Sequence, residues 1–204
     1  LSASPRDPGP LAVDVSGFGP AELRAVARDA LSRPPALGGV RLIAVDGPSG
    51  SGKTTVAHQL AAALGGLRPG GDCEVFATDH LATWENPVGW WPELEEGVLA
   101  PLAAGRPARI RVNDWTSGVP VPGEYYEFPV PQVLIIEGVS AARLALGDRL
   151  TAALWVELPG TAARLERSVA RDGENSRRYL EQWQRDEERW FAADGTRARW
   201  NLPT

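Results

Sequence analysis

The sequence predicts an α/β fold in three layers: a mostly parallel sheet with helices on both faces. Three observations carry that expectation. Short apolar runs of strand length recur at 40–46, 73–78, 132–137 and 152–157. Runs rich in helix-forming residues separate them, at 20–31, 56–64, 92–104 and 161–171. Between the first strand and the second of those helices lies Gly47-Pro48-Ser49-Gly50-Ser51-Gly52-Lys53-Thr54-Thr55, which fits the phosphate-loop pattern G-x-x-x-x-G-K-[ST].

Taken in order, residues 1–19 are rich in proline and glycine and are expected to be loose. Pro20 opens a helix whose Leu23, Val26, Ala27, Ala30 and Leu31 share a face. Val40 to Asp46 is apolar and β-branched, as a buried parallel strand requires. The helix after the glycine loop is expected to close at Gly65-Gly66. A second strand ends at Asp79-His80, and its place is expected beside the loop strand. Pro92 to Ala104 reads as helix and stops at Gly105. Arg109 to Val112 alternates as a short half-exposed strand does. Residues 116–131, with four prolines and two glycines, read as loop. The third core strand ends at Glu137, and a short helix is expected from Ser140 to Leu146. After the fourth core strand, Pro159-Gly160-Thr161 opens a helix to about Arg171. A charged turn leads to a last helix from Tyr179 to Ala193.

Composition bounds the function. The chain has 204 residues and 43% hydrophobic content, enough for one domain with a sizeable core. A net charge of −5 argues against a general nucleic-acid-binding surface. Cys73, the single cysteine, excludes an intrachain disulfide and fits a reducing compartment. No apolar run approaches the ~18 residues of a membrane span. The first residues, Leu1 to Asp7, lack the basic region and apolar core of a secretory signal. The expectation is a cytoplasmic protein whose partner is a small molecule, with no nucleic acid or membrane.

Chemistry concentrates at the strand ends. The loop glycines let the backbone wrap a phosphate chain, and Lys53 would reach its β- and γ-phosphates. Lys53 is the only lysine, and a compact ammonium suits the loop where a planar guanidinium does not. The Thr54 hydroxyl is placed to ligate Mg²⁺. Asp79, at a strand end, is a candidate to take a hydroxyl proton or hold metal. Glu137, ending an apolar strand before Gly138, is a candidate metal acid of the Walker-B kind. Asp46 could also serve a metal. A strand-end cap is the alternative role of each carboxylate. Arg164, Arg167 and Arg171 share one helix face, and Arg177-Arg178 follow across a short turn. Arginines so placed can close over a triphosphate as a lid; a solvated, ion-paired helix is the alternative. Trp84, Trp90 and Trp91 form either a stacking wall for an acceptor ring or part of the core.

With these residues placed, the chain resembles the uridine kinase-like branch of the P-loop kinases, with its phosphoribulokinase and pantothenate kinase relatives. The likeness covers about residues 40–193. Gly47 to Thr55 matches the family loop, and Asp79 falls where the family carries its acceptor-activating aspartate. Leu102 to Pro107, Asn113-Asp114-Trp115 and Ile136-Glu137-Gly138 match further family segments. The run from Arg164-Leu165-Glu166-Arg167 through Arg171-Asp172 and Arg177-Arg178 to Leu180-Glu181-Gln182 looks like its lid. Departures fall on the acceptor side, at Asn86 to Trp91 and Thr116 to Gly118. The resemblance implies a P-loop NTPase-type domain with an acceptor-side insertion over about 81–131 and an arginine-rich lid over about 164–182. It implies ATP and Mg²⁺ as cofactors, Gly47, Ser49, Gly50, Ser51, Gly52, Lys53, Thr54, Thr55 and Arg167 around the nucleotide, and Thr54 and Glu137 at the metal. Catalysis falls to Asp79, Lys53, Arg171 and Arg177, and acceptor binding to Trp84, Trp90, Trp91 and Asp114. The expected reaction is γ-phosphate transfer to a hydroxyl of a nucleoside or nucleoside-like compound. A nucleoside monophosphate kinase, suggested by a cytidylate kinase-like loop, and a regulatory ATPase without an acceptor are the rival readings.

Overall fold

The computed structural model describes residues 10–67 and 72–199. Along them run β1 (Leu11–Asp14), α1 (Pro20–Ser32), β2 (Arg41–Asp46), α2 (Lys53–Leu67), β3 (Cys73–Ala77), α3 (Trp91–Leu94), α4 (Ala100–Ala103), β4 (Ala108–Asp114), β5 (Val121–Phe128), β6 (Val133–Glu137), β7 (Leu150–Trp155), α5 (Thr161–Asp172), α6 (Arg177–Asp194) and α7 (Thr196–Arg199). Five strands form one sheet in the order β1-β7-β2-β6-β3, every neighbouring pair parallel. The two-residue alternation of β2 and β6 divides the core. Ile43, Val45 and Ile135 pack under α1 and α2 with Leu23, Ala27, Leu60 and Leu64. Leu42, Ala44, Leu134 and Ile136 face the other way, against Phe76, Leu94, Leu102 and Trp183. This is the expected α/β architecture of a P-loop NTPase, with helices on both faces.

Several expectations are corrected. Residues 11–14, expected to be loose, pair with β7 as an edge strand, register Leu11 on Ala152; residues 1–9 of that segment lie outside the described residues. β3 is not beside β2, because β6 lies between them. The α2 helix runs through Gly65 and Gly66 to Leu67. Packing of Leu64 and Leu67 into the core outweighs the ~1 kcal/mol helix penalty of each glycine. Residues 121–128 form β5, antiparallel to β4, where loop was expected. Pro122 and Gly123 hid it, yet Pro122 is tolerated because it sits at the register shift of a two-stranded ribbon.

The helical stretch 91–103 is not uniform. A π-turn over Glu95–Leu99 joins α3 to α4, with the Ala100 N–H donating to the Glu95 carbonyl. The widened turn precedes Pro101, which has no N–H for the regular ladder. The short helix expected over 140–146 is absent. Ser140 takes a positive φ of 66°, and a 3₁₀ segment starts only at Leu144. Arg143, at ψ 155°, is extended as well, and the turn is held by the Ser140 and Ala142 N–H groups, which donate to the Asp46 carboxylate. Among the described residues no helix is long and apolar enough to cross a membrane.

Candidate active site

The carboxyl ends of β2, β6 and β3 meet at one edge. In register, Glu137 lies between Val45 and Ala77. The glycine loop leaves β2 there, and the 3₁₀ turn Thr78–His80 leaves β3. Close packing dictates the loop glycines. At Gly47 (φ 142°) a Cβ would come 2.0 Å from the Val156 carbonyl oxygen. At Gly50 (φ 76°) it would come 2.3 Å from the Arg164 carbonyl oxygen. A side chain would push the chain after β7 off Gly47 and α5 off Gly50.

A cleft of about 370 Å³ opens over this loop. Ser49, Gly50, Gly52, Lys53, Thr54 and Thr55 line its floor; Asp79, Glu137, Arg167 and Arg171 face it from the sides. Lys53 is nearly buried and donates from Nζ to the Pro48 carbonyl at 3.0 Å. Thr54 Oγ1 donates to Glu137 Oε1 at 2.9 Å. Burial pushes the Glu137 carboxyl up, Lys53 pulls it down, and Asp79 adds to the rise. Two of the expected nucleotide residues serve the loop's shape. Gly47 packs on Val156, and the Ser51 hydroxyl accepts the Leu158 N–H at 3.3 Å.

The cleft fits a metal-bound nucleotide. Its one lysine and two arginines supply positive charge, and at Gly52 an added Cβ would stand toward Arg167, 3.7 Å from its guanidinium. No group of three metal-ligating side chains exists among the described residues. Mg²⁺ takes one or two protein oxygens and completes its shell with phosphates and water, and the paired Thr54 and Glu137 oxygens are a donor set of that size. Thr54 and Glu137 are the residues that would hold it. Of its two expected roles, Asp46 takes the structural one in this fold. Fully buried, it accepts N–H bonds from Gly47 at 2.7 Å, Ser140 at 2.9 Å and Ala142 at 2.9 Å, binding the loop start to the turn after β6. Burial pushes its carboxyl up to about 6 against those three bonds and Lys53.

A second cleft, about 300 Å³, adjoins the first. Trp84, Trp115, Trp183, Gly118, Asp172 and Ser176 line it, and Asp79 and Arg171 border both clefts. The aromatic residues pack on one another. Trp84 stands edge-on to Trp115 with ring centroids 5.0 Å apart, and Tyr179 stacks on Trp84 at 4.9 Å. Trp183 comes from α6, 99 residues beyond Trp84, whose carbonyl accepts its indole N–H. No spacing in the sequence signals that meeting. Trp90 and Trp91 do not share the aromatic cleft. Trp90 is buried in the core under the Arg143 guanidinium, 4.0 Å from its ring centre. Trp91 packs against the same core between Arg143 and Arg149. Asp114 is also displaced: it lies on the β4–β5 hairpin, accepting from the Thr116 N–H at 2.8 Å and its hydroxyl.

The arginines divide. Arg164 is buried and donates to the Leu158 carbonyl at 2.9 Å, securing the start of α5. Arg167 and Arg171 face the cleft over the glycine loop. Arg177 lies elsewhere, bridging Glu166 at 2.7 Å and Glu174 at 2.5 Å, so it ties α5 to α6. A residue that sequence reading missed completes the site. Glu187 of α6 is buried and accepts the Ser49 N–H at 3.0 Å and the Ser49 hydroxyl. Burial pushes its carboxyl up, while Lys53 and Ser49 pull it down. It follows Trp183 by four residues, so one face of α6 touches both clefts.

Sheet order, loop and strand-end acids define a P-loop NTPase-type fold. Two solved structures share it: a "Possible Uridine Kinase from Bacillus stearothermophilus" and a "putative fructose transport system kinase from Silicibacter sp. TM1040". The first is 20% identical with a TM-score of 0.55, covering 80% of this chain and 92% of that one. The second is 24% identical with a TM-score of 0.59, covering 81% and 93%. At these identities the likeness is one of fold. No protein-family model and no curated protein matches the chain.

Proposed function

We propose that the chain is an ATP- and Mg²⁺-dependent kinase that transfers the γ-phosphate to a hydroxyl of a small ring compound of the nucleoside or sugar kind. One observation carries the reading: Asp79 and Arg171 border both the phosphate cleft and the aromatic cleft. A hydroxyl bound in the second cleft would therefore meet a carboxylate and a guanidinium where the first cleft presents the γ-phosphate. Both named structural neighbours carry kinase titles, which agrees with it.

In this mechanism the loop amides and Lys53 hold the β- and γ-phosphates, and Arg167 and Arg171 face the transferring group. Bound Mg²⁺, held by Thr54 and Glu137, would supply neutralisation of phosphate charge. Asp79 accepts the hydroxyl proton as the acceptor oxygen bonds to γ-phosphorus and the bond from phosphorus to the β–γ bridging oxygen breaks. The products are the phosphate ester and ADP, and the proton leaves Asp79 for solvent. The aromatic walls exclude water that would otherwise compete with the acceptor. The test is ADP release with and without candidate hydroxyl acceptors, using Lys53→Ala as control. ADP release that no acceptor stimulates would instead mark a regulatory ATPase.

A further inference from the structure

We propose that the acceptor is an uncharged sugar-type ring, gripped by its C–H face against the three indoles and not recognised through a base or an anionic group. The proposal rests on the kinase reading and narrows its acceptor. It begins with three hydrogen bonds. Trp84 Nε1 donates to the Gly118 carbonyl at 2.8 Å, Trp115 Nε1 to the Asp79 carbonyl at 3.1 Å and Trp183 Nε1 to the Trp84 carbonyl at 2.9 Å. Every indole N–H around the cleft is thereby committed to main chain. The walls offer only ring faces and C–H edges, with Trp115 crossing Trp84 at 87° and Trp183 at 89°. Such walls favour the apolar face of a saturated ring through dispersion and area burial. They cannot read the in-plane donors and acceptors that distinguish one base from another, because discrimination of that kind needs polar groups left seeking a partner.

Charge narrows the class further. Arg171 is the cleft's only cation among the described lining residues, and Asp172 holds it bidentately at 2.6 and 2.7 Å. The Asp79 carboxylate accepts no side-chain hydrogen bond from the described residues, and the Ser176 hydroxyl donates to the Asp172 carbonyl at 3.1 Å. A phosphate or carboxylate on the acceptor would meet two carboxylates, and the cleft's one cation is already shared between Asp172 and, on the kinase reading, the transferring phosphoryl group. A neutral ring meets none of that cost and places a hydroxyl on Asp79. A free monosaccharide and the ribose of a nucleoside share this chemistry.

The experiment measures ADP release with glucose, fructose and ribose and their phosphate esters, with uridine, cytidine and adenosine and both the 3′- and the 5′-monophosphate of each, so that one ester of each pair keeps the reacting hydroxyl free, and with pantothenate. Tryptophan fluorescence titration with the same compounds runs in parallel. Turnover of free sugars assigns the source as a monosaccharide. Turnover of the nucleosides with kcat/KM agreeing within about threefold across the bases assigns it to ribose, since an unread base changes little. In either case an added phosphate should lower kcat/KM by roughly 100-fold or more, and Asp172→Asn, which unpairs Arg171, should shrink that penalty by about tenfold. Preference for one base by more than about tenfold overturns the proposal, as does an anionic acceptor equal to its neutral parent. If neutral rings quench the fluorescence but nothing stimulates ADP release, the kinase reading fails and the cleft assignment stands. If no neutral ring turns over or quenches, the assignment fails, whatever other acceptor is found.

Discussion

Thr54 and Glu137, 83 residues apart in the chain, share a hydrogen bond of 2.9 Å beneath the phosphate cleft. The β2–β6 pairing brings them together, since the loop leaves β2 and Glu137 ends β6. Burial has raised the Glu137 carboxyl, so a proton competes for it above the usual carboxylate range. A metal bound there competes with that proton. The acid limb of kcat/KM should therefore move to lower pH as Mg²⁺ is raised, and Glu137→Gln should increase the Mg²⁺ concentration needed for half-maximal rate. A limb that ignores Mg²⁺ would remove Glu137 from the metal.

Asp79 gives the sharpest kinetic expectation. Asparagine keeps its size and hydrogen bonding but cannot take a proton. Asp79→Asn should bind ATP·Mg²⁺ near normally and lose on the order of 10²–10⁴-fold in kcat, the usual range for a general base. Isothermal titration and steady-state rates on one preparation separate the two effects. Wild-type turnover of the true acceptor by this variant would end the assignment.

Arg171 and Arg177 should behave differently, because only Arg171 borders the clefts. Arg171→Ala should lower kcat more than it raises the KM for ATP, by about 2–4 kcal/mol of barrier, as for other groups that stabilise transition-state charge. Arg177→Ala removes an exposed bridge between α5 and α6, so it should leave kcat near wild type and lower Tm slightly. Equal kinetic losses in both variants would place Arg177 in the closed site after all.

The tryptophans should separate in the same manner. Trp90→Ala empties a core position and should cost about 3–5 kcal/mol of stability with little change in acceptor KM. Trp84→Ala should raise acceptor KM instead. Urea unfolding and acceptor kinetics on both variants check this, and a reversed pattern would put the acceptor near Trp90.

Asp46 sets burial against hydrogen bonding. Its carboxyl is pushed up to about 6 from an ordinary 3.8. An acid whose pKa rises on folding binds its proton more tightly when folded, so its contribution to stability falls as pH rises from about 4 to about 6. A rise of roughly 2 units corresponds to ~3 kcal/mol at most. Asparagine does not titrate, so the stability gap between wild type and Asp46→Asn should narrow across that range. Urea titrations at pH 4 and pH 7 measure it. A gap that widens with pH would mean that the three N–H bonds outweigh burial and keep Asp46 ionised.

Much of the fold was legible in the chain because its signals are local. The glycine loop, the apolar strands after Gly39 and the helix at Pro20 each depend on neighbours a few residues away. The loop residues of the phosphate cleft, and the strand-end positions of Asp79 and Glu137, follow from the same local grammar. Pro122 and Gly123 concealed β5, whose stability comes from pairing with β4 across the hairpin. The helix anticipated at Ser140 gives way to a turn with positive φ at Ser140, held by Asp46 from 94 residues away.

What the sequence determined by itself was the α/β class and the glycine loop between strand and helix, since both rest on steric and hydrogen-bonding rules that act within a turn or a strand. Tertiary structure alone decided which tryptophans line a cleft and which fill the core. It also decided which arginines line the cleft over the glycine loop and which tie helix to helix or to a strand end. Those outcomes depend on what stands opposite each side chain. Trp183 meets Trp84, and Glu187 meets Ser49, only because α6 packs back across the carboxyl edge of the sheet. A pattern read along one dimension carries no term for contacts made 99 and 138 residues away.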